Sequence, residues 1–386
     1  MKFLIVTHVK HKRHNGQIYA YGPYVREMNL WFKYVDEVRV VAPIVDEAPD
    51  AIDLPYHHSK LSFYKVPPFN IIGWKNRLIT LCKLPYIVFQ TLRAMAWAEH
   101  IHLRCPGNMG LLGVVLQRFF PHKPKTAKYA GNWDPNSKQP WSYRLQRKWL
   151  SDTSFCRNMK VLVYGEWPNQ TANVVPFYTA TYGEKEREDA EKILVNKYEM
   201  RLANTDFKER TVRLLFVGAL SEGKRPMLSV SAAENLLKKG YKVRLDLYGE
   251  GKERKAIETY IRRRSLQEIV CLHGNQNASV VKEAYKRADF LLFASRSEGW
   301  PKVVAEAMWW GCIPVTTPVS CVGYMVGDGT RGCLVSPQAD DMADCVAALL
   351  HDDEQLRLIR REGMKWSRQF TLESFEREIG KLLHGK

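Results

Sequence analysis

The feature that most constrains the fold is an alternation of short apolar runs with segments of helical spacing, which occurs twice along the chain. In the first half the runs are 3–7, 38–42, 61–66, 101–104, 126–130 and 161–164, with helical spacing over 19–34 and 78–98. The pattern restarts at Arg213-Leu214-Leu215-Phe216-Val217-Gly218 and continues through strands at 243–248, 269–273, 290–294 and 313–316. Helices are predicted between them at 226–239, 252–264, 278–287 and 301–310. Strands that alternate with helices form parallel sheets covered on both faces, so two doubly wound α/β domains are expected. The first is placed at 1–205 and the second at 206–370. The charged stretch 183–210 should form a boundary helix and connector, and a last helix within 371–386 should cross back to the first domain. Open parallel sheets bind ligands at the carboxyl ends of their strands. Chemistry is therefore expected on post-strand loops, in a cleft between facing domains.

Composition narrows the partners. The 386 residues are 45% hydrophobic, enough for each domain to bury a core, and carry a formal charge of +17. Between Leu54 and Trp133 there are eleven Lys/Arg and one acid, Glu99, interleaved with Phe63, Tyr64, Phe69, Trp74, Tyr86, Phe89 and Trp97. That mixture suits an anionic membrane surface, and equally a core whose outside is coated with cations. No recognisable nucleic-acid-binding motif gathers the charge, so a basic nucleic-acid-binding protein is the weaker alternative. The eight cysteines form no C-x-x-C pair, and the apolar residues after Lys2 are too few for a signal-peptide core. Both point to a cytoplasmic protein with reduced thiols, and the basic-aromatic tract would place it peripherally on the inner face of the plasma membrane. The uncharged run 307–327 contains Gly311, Pro314, Pro318 and Gly323, which break a spanning helix, so no transmembrane segment is expected.

The most informative stretch follows the strand at 290–294: Ser295-Arg296-Ser297-Glu298-Gly299-Trp300-Pro301-Lys302-Val303-Val304-Ala305-Glu306. Pro301 suits the first turn of a helix, whose free N–H groups at Lys302, Val303 and Val304 would form an anion site. Glu298 precedes that turn and Glu306 lies more than one turn inside the helix.

With the following Ala307-Met308 and Gly311-Cys312-Ile313-Pro314-Val315, this segment resembles the E-x7-E element of the retaining family 4 (group 1) glycosyltransferases. These have the GT-B fold of two facing Rossmann-like domains. Phe216-Val217-Gly218-Ala219-Leu220-Ser221-Glu222-Gly223-Lys224-Arg225-Pro226 is similar to the family's phosphate loop, and Leu247-Tyr248-Gly249-Glu250-Gly251 and Leu272-His273-Gly274-Asn275 to its next two strand ends. The resemblance implies a glycosyltransferase that moves a sugar from a UDP- or GDP-type donor, with retention, to a glycan or lipid-linked acceptor in bacterial surface polysaccharide synthesis. It implies that Glu306 accepts from the ribose hydroxyls, that Glu298 contacts the donor sugar, and that Lys224 neutralises the diphosphate. Gly218 and the backbone at Lys302 and Val303 would lie along that diphosphate, and Asn275 would border the base. Such chemistry needs no cofactor and no metal, since fixed N–H groups and a cation can stabilise the departing diphosphate. The chain departs from the family at Ala219, where arginine is common; Arg225 and Arg296 are the nearby cations. A nucleotide-sugar 2-epimerase of the same architecture is the alternative within enzymes.

On the first domain, Gly16 is the one glycine of the expected first βα loop that permits close backbone approach. Arg104, Asp134 and Glu166 follow strands and are the acceptor-side candidates, Asp134 or Glu166 as general base and Arg104 as a grip on an acidic group. Their alternative is an ordinary role in turns. His8, His11 and His14 lack a second ligand cluster, so they read as a basic loop and not as a metal site.

Overall fold

The computed structural model describes residues 1–50, 52–69, 74–202 and 210–385, without the side chains of 75–77 and 194–202. It divides into two compact units, Met1–Tyr178 with Glu376–Lys386, and Thr179–Phe375.

The first unit runs β1 (Lys2–Val6), β2 (His11–His14), β3 (Gln17–Tyr21), α1 (Gly22–Phe32), β4 (Glu37–Ala42), β5 (Ile44–Val45), β6 (Asp53–Pro55), β7 (Leu61–Lys65), α2 (Trp74–Trp97), β8 (His100–Cys105), α3 (Asn108–Leu116), β9 (Lys125–Tyr129), α4 (Trp141–Ser151), β10 (Met159–Tyr164) and β11 (Val174–Phe177). Its main sheet has the order β11-β10-β9-β8-β1-β4-β7 and is parallel throughout. Phe3, Leu4, Ile5 and Val6 are all fully buried, as a central strand covered on both faces requires. A small second sheet, β5-β2-β3-β6, departs from the expected pattern. It is built on the hairpin turn Asn15-Gly16, both residues at positive φ, and so part of the helix expected over 19–34 is strand.

The second unit runs α5 (Glu184–Leu202), β12 (Val212–Val217), α6 (Pro226–Lys238), β13 (Val243–Tyr248), α7 (Arg254–Arg263), β14 (Val270–Gly274), α8 (Ala278–Arg287), β15 (Phe290–Phe293), α9 (Lys302–Trp309), β16 (Ile313–Thr316), α10 (Val322–Val326), β17 (Cys333–Leu334), α11 (Ala339–His351), α12 (Asp353–Ser367) and α13 (Leu372–His384). The sheet order is β14-β13-β12-β15-β16-β17, again parallel. The order reverses between β12 and β15, which makes that gap the topological switch point. Local signals explain the helix starts: Pro226 opens α6, the Asn277 side chain caps α8 by accepting from Val280 N at 3.0 Å, and Asp352 caps α12 likewise. Leu214, Phe216, Leu245, Leu247, Phe290 and Leu292 build the core under α6, α7 and α11.

The units part at Tyr178/Thr179, earlier than the sequence places the boundary. Tyr182 packs against Trp309 and Trp310 at 5.5 and 5.3 Å, and its carbonyl accepts from Leu372 N, so this stretch is tied into the second unit. The expected 205/206 boundary itself lies outside the described residues. The last helix begins in the second unit and rejoins the first from Glu376 onward, as the fold class anticipates.

Candidate active site

The carboxyl ends of the second sheet are stitched together by main chain. Gly249 N donates to Gly274 O at 2.8 Å, Gly218 N to Tyr248 O at 2.9 Å, Leu220 N to Glu250 O at 2.9 Å, and Arg296 N to Gly223 O at 2.8 Å. The turns after β14, β13, β12 and β15 thus form one continuous frame. Two glycines make it possible. A Cβ on Gly249, at φ +139°, would stand 2.0 Å from Gly218 O, and one on Gly251 would stand 2.3 Å from Leu220 O. Gly218 itself takes φ +154°, and a Cβ there would meet only the Phe216 ring at an ordinary 3.7 Å, so its backbone angle is what selects glycine there.

Across the switch point, Lys224 from the turn after β12 forms an ion pair with Glu298 from the turn after β15. Glu298 is 10% exposed and Lys224 29%, so water screens the pair only in part. The Lys224 ammonium also stands 5.2 Å from the Phe293 ring centroid. Two more cations border the same turns: Arg296 pairs with Glu222 at 2.6 Å, while Arg225, at φ +50°, has no ion-pair partner among the described residues. Burial and the neighbouring Arg296 charge both lower the Arg225 pKa.

Pro301 precedes α9 as expected, and no side chain caps the helix. Val304 N is not free, since it donates to Pro301 O at 3.0 Å. Fewer than the three expected N–H groups are therefore available to an anion. Glu306 lies on α9, where Thr181 Oγ1 donates to one carboxylate oxygen at 2.8 Å and Tyr285 OH to the other at 3.1 Å. Each oxygen keeps acceptor capacity, because a carboxylate offers about four lone-pair sites. Thr181, Trp300, Lys302 and Glu306 line a small groove here. Asn275 is exposed on the turn after β14. Trp309 and Trp310 are buried, in keeping with helix-to-sheet packing.

The first-unit candidates have different settings. Gly16 sits at the exposed tip of the β2–β3 hairpin, which accounts for its positive φ without a ligand. The Asn15-Gly16 dipeptide is the sequence signal for that turn. Arg104 is 8% exposed, and its Nη1 donates to Glu27 of α1 at 2.6 Å, so its charge is already matched inside the protein. Asp134 closes its own turn by accepting from Asn136 N at 2.8 Å. Glu166 is exposed. At the first sheet's own switch point, between β1 and β8, His8 presses on Gly107, where a Cβ would stand 2.7 Å from its Nδ1. Burial and the Arg104 charge lower its pKa. His11 is buried instead of lying on a basic loop. Its Nδ1 meets Val9 O at 2.8 Å and its Nε2 meets Tyr56 OH at 2.7 Å. One group with ligand-like spacing occurs among the described residues, Asp246, Cys271 and His273, with donor atoms within 4.8 Å of one another. Asp246 and His273 already satisfy each other at 2.7 Å, and His273 stacks on Tyr248.

Sequence reasoning did not find Thr181 or Tyr285, because nothing local marks residues that reach Glu306 from 125 and 21 positions away. It also named Lys224 and Glu298 separately and not as a pair.

Against known proteins, residues 201–366 match the family model described as glycosyl transferases group 1. The fold is that of the GT-B glycosyltransferases. The chain superimposes on Anabaena HepE, solved in complex with UDP, over 100% of both chains with a TM-score of 0.68 at 15% identity. In sequence it is 28% identical over 160 residues to an uncharacterized glycosyltransferase of Methanocaldococcus jannaschii, covering 41% of this chain and 44% of that protein. It is also 28% identical over 210 residues to the putative colanic acid biosynthesis glycosyltransferase WcaL of Escherichia coli, covering 50% and 51%. The chain thus spans about half the length of these curated relatives.

Proposed function

We propose that this protein is a retaining glycosyltransferase that moves a sugar from a nucleotide-diphosphate donor to a glycan or lipid-linked acceptor in polysaccharide assembly. The observation that carries the reading is the Lys224–Glu298 pair at the switch point, one turn ahead of the helix that holds Glu306. The HepE complex with UDP and the WcaL name support the donor class and the pathway class respectively.

In this reading the donor diphosphate takes over the Lys224 ammonium and lies against the Val303 N–H at the start of α9, where the helix dipole favours negative charge. Glu298, released from Lys224, accepts from hydroxyls of the donor sugar. Glu306, fixed by Thr181 and Tyr285, accepts from the ribose hydroxyls, and Asn275 borders the base. The anomeric C–O bond to the diphosphate breaks as the acceptor oxygen bonds to the same carbon. The acceptor proton passes to the departing phosphate oxygen on the same face. Charge grows on the diphosphate, where Lys224 and the helix N-terminus stabilise it, so no divalent cation is required.

Membrane access is part of the proposal. On α2, Trp74, Leu78, Leu81 and Phe89 recur at helical spacing and are each more than half exposed, while Ile87, Ala94 and Met95 on the same helix enter the core. With Lys60, Lys65, Lys83 and Arg93 nearby in sequence, the exposed residues suit insertion at an anionic bilayer surface. No helix among the described residues is long and apolar enough to cross a membrane.

Calorimetric titration with UDP, GDP and ADP tests the donor site. One diphosphate should bind selectively, and Glu306→Ala should weaken it roughly tenfold, the loss of one or two charge-assisted hydrogen bonds. Absence of binding to all three by the folded protein would overturn the reading.

A further inference from the structure

We propose that a pocket in the first unit binds an anionic saccharide, a sugar carrying a carboxylate or a phosphate. Its volume is about 250 Å³, and it lies between one face of α4 and the segment joining β10 to β11. Arg144, Arg147, Lys148 and Ser151 recur at i, i+3, i+4 and i+7 and so share that face. Trp133 and Trp167 complete the walls, and no acidic residue lines the pocket.

The walls are fixed in advance. Trp133 packs edge-on to Tyr129 at 4.8 Å, and Trp167 Nε1 donates to Tyr164 O at 2.8 Å. Arg147 donates to the carbonyls of Trp133, Asp134 and Pro135 at 3.3, 2.7 and 3.4 Å, so it braces the loop that carries Trp133. Arg144 and Lys148 have no such duty. Both are exposed, and neither has a hydrogen bond or ion pair among the described residues. Gln170 Nε2 is a buried donor without an acceptor, a cost that a ligand oxygen would remove.

These groups match one kind of ligand. The half-buried Trp167 indole takes the C–H face of a sugar while the buried Trp133 backs the wall, an amide donor takes a hydroxyl or ring oxygen, and a guanidinium with an ammonium takes an anionic substituent. A neutral glycan would make no use of the two exposed cations, and a lone phosphate would make no use of the half-buried Trp167 ring. That the saccharide is the acceptor rests on the transferase reading above; the binding itself does not.

The full chain is titrated with methyl β-glucuronide, glucose 1-phosphate, methyl β-glucoside and inorganic phosphate. Tryptophan fluorescence and calorimetry are the readouts, and UDP and GDP are run as separate arms. One anionic sugar should bind at least about tenfold tighter than the neutral sugar or phosphate, and the double variant R144Q/K148Q should erase that margin while sparing nucleotide binding. The glucuronide and sugar-phosphate arms decide which anion is meant. Equal binding of the neutral sugar, equal binding of phosphate alone, or an undiminished margin in the double variant overturns the proposal. If nucleotides bind and no anionic sugar does, only this inference fails. If anionic sugars bind and no nucleotide does, only the transferase reading fails.

Discussion

A Cβ on Gly249 would lie 2.0 Å from the carbonyl oxygen of Gly218, so the turns after β12 and β13 touch backbone to backbone with no room for a methyl group. Gly249→Ala should destabilise the second unit by about 2–4 kcal/mol, since both the positive φ and the clash must be relieved. Gly223→Ala, where a Cβ meets nothing within 4 Å, should stay within about 0.5 kcal/mol. Urea unfolding of the two variants checks the contrast.

Lys224 and Glu298 should separate kinetically. Glu298→Ala should lower kcat by about 10²-fold with a smaller change in donor Kd, because its contacts are made at the reacting sugar. Lys224→Ala should weaken diphosphate binding and turnover together. Equal, small effects of both substitutions would contradict the roles given them.

Tyr285→Phe removes one of the two hydroxyls that orient Glu306 without removing the carboxylate. Donor affinity should fall by about 1 kcal/mol, less than for Glu306→Ala, as expected for the loss of one neutral donor to a carboxylate. Isothermal titration of both variants with the preferred nucleotide measures the order.

Acid should unfold the first unit through its buried histidines. Burial lowers the pKa of His11 from 6.5 to about 4 and that of His100 to about 3. The folded state refuses protons that the unfolded chain accepts below 6.5. The stability these residues contribute is therefore complete above 6.5 and is lost as pH falls toward their folded values. Within that window each histidine costs roughly 1.4 kcal/mol per pH unit. Unfolding curves at several pH values should show this slope, and His11→Gln should reduce it.

On the membrane side, Leu78→Ser with Leu81→Ser and Phe89→Ser should cut sedimentation with anionic vesicles several-fold while leaving nucleotide affinity unchanged. These side chains lie mostly in solvent, so the folded structure gives up little by losing them.

Much of this was legible in the sequence because it is encoded locally. Pro226, Pro301 and the runs around Phe216 and Phe290 mark strands and helix starts within a few residues of themselves. Glu298 and Glu306 stand out through a motif of fixed spacing, and Lys224 through a separate loop 74 positions before Glu298. What escaped was set by distance or by competing turn chemistry. Thr181 reaches Glu306 only after the chain has folded, Arg104 meets Glu27 from 77 positions away, and Asn15-Gly16 turned a supposed βα loop into a hairpin. A loop aspartate such as Asp134 reads the same in sequence whether or not it also caps its own turn, as it does here.

The last helix gives the first unit a discontinuous chain. Ile379 is fully buried, Gly380 lies where a Cβ would touch the Tyr34 ring at 3.1 Å, and Glu376 pairs with Lys33 at 2.6 Å. During synthesis, the body formed by Met1–Tyr178 must wait for nearly two hundred further residues before its own closing segment leaves the ribosome. A ribosome stalled after α12 would display a first unit with an uncovered apolar seam, a substrate for chaperones. A fragment cut at Tyr178 would inherit the same defect permanently.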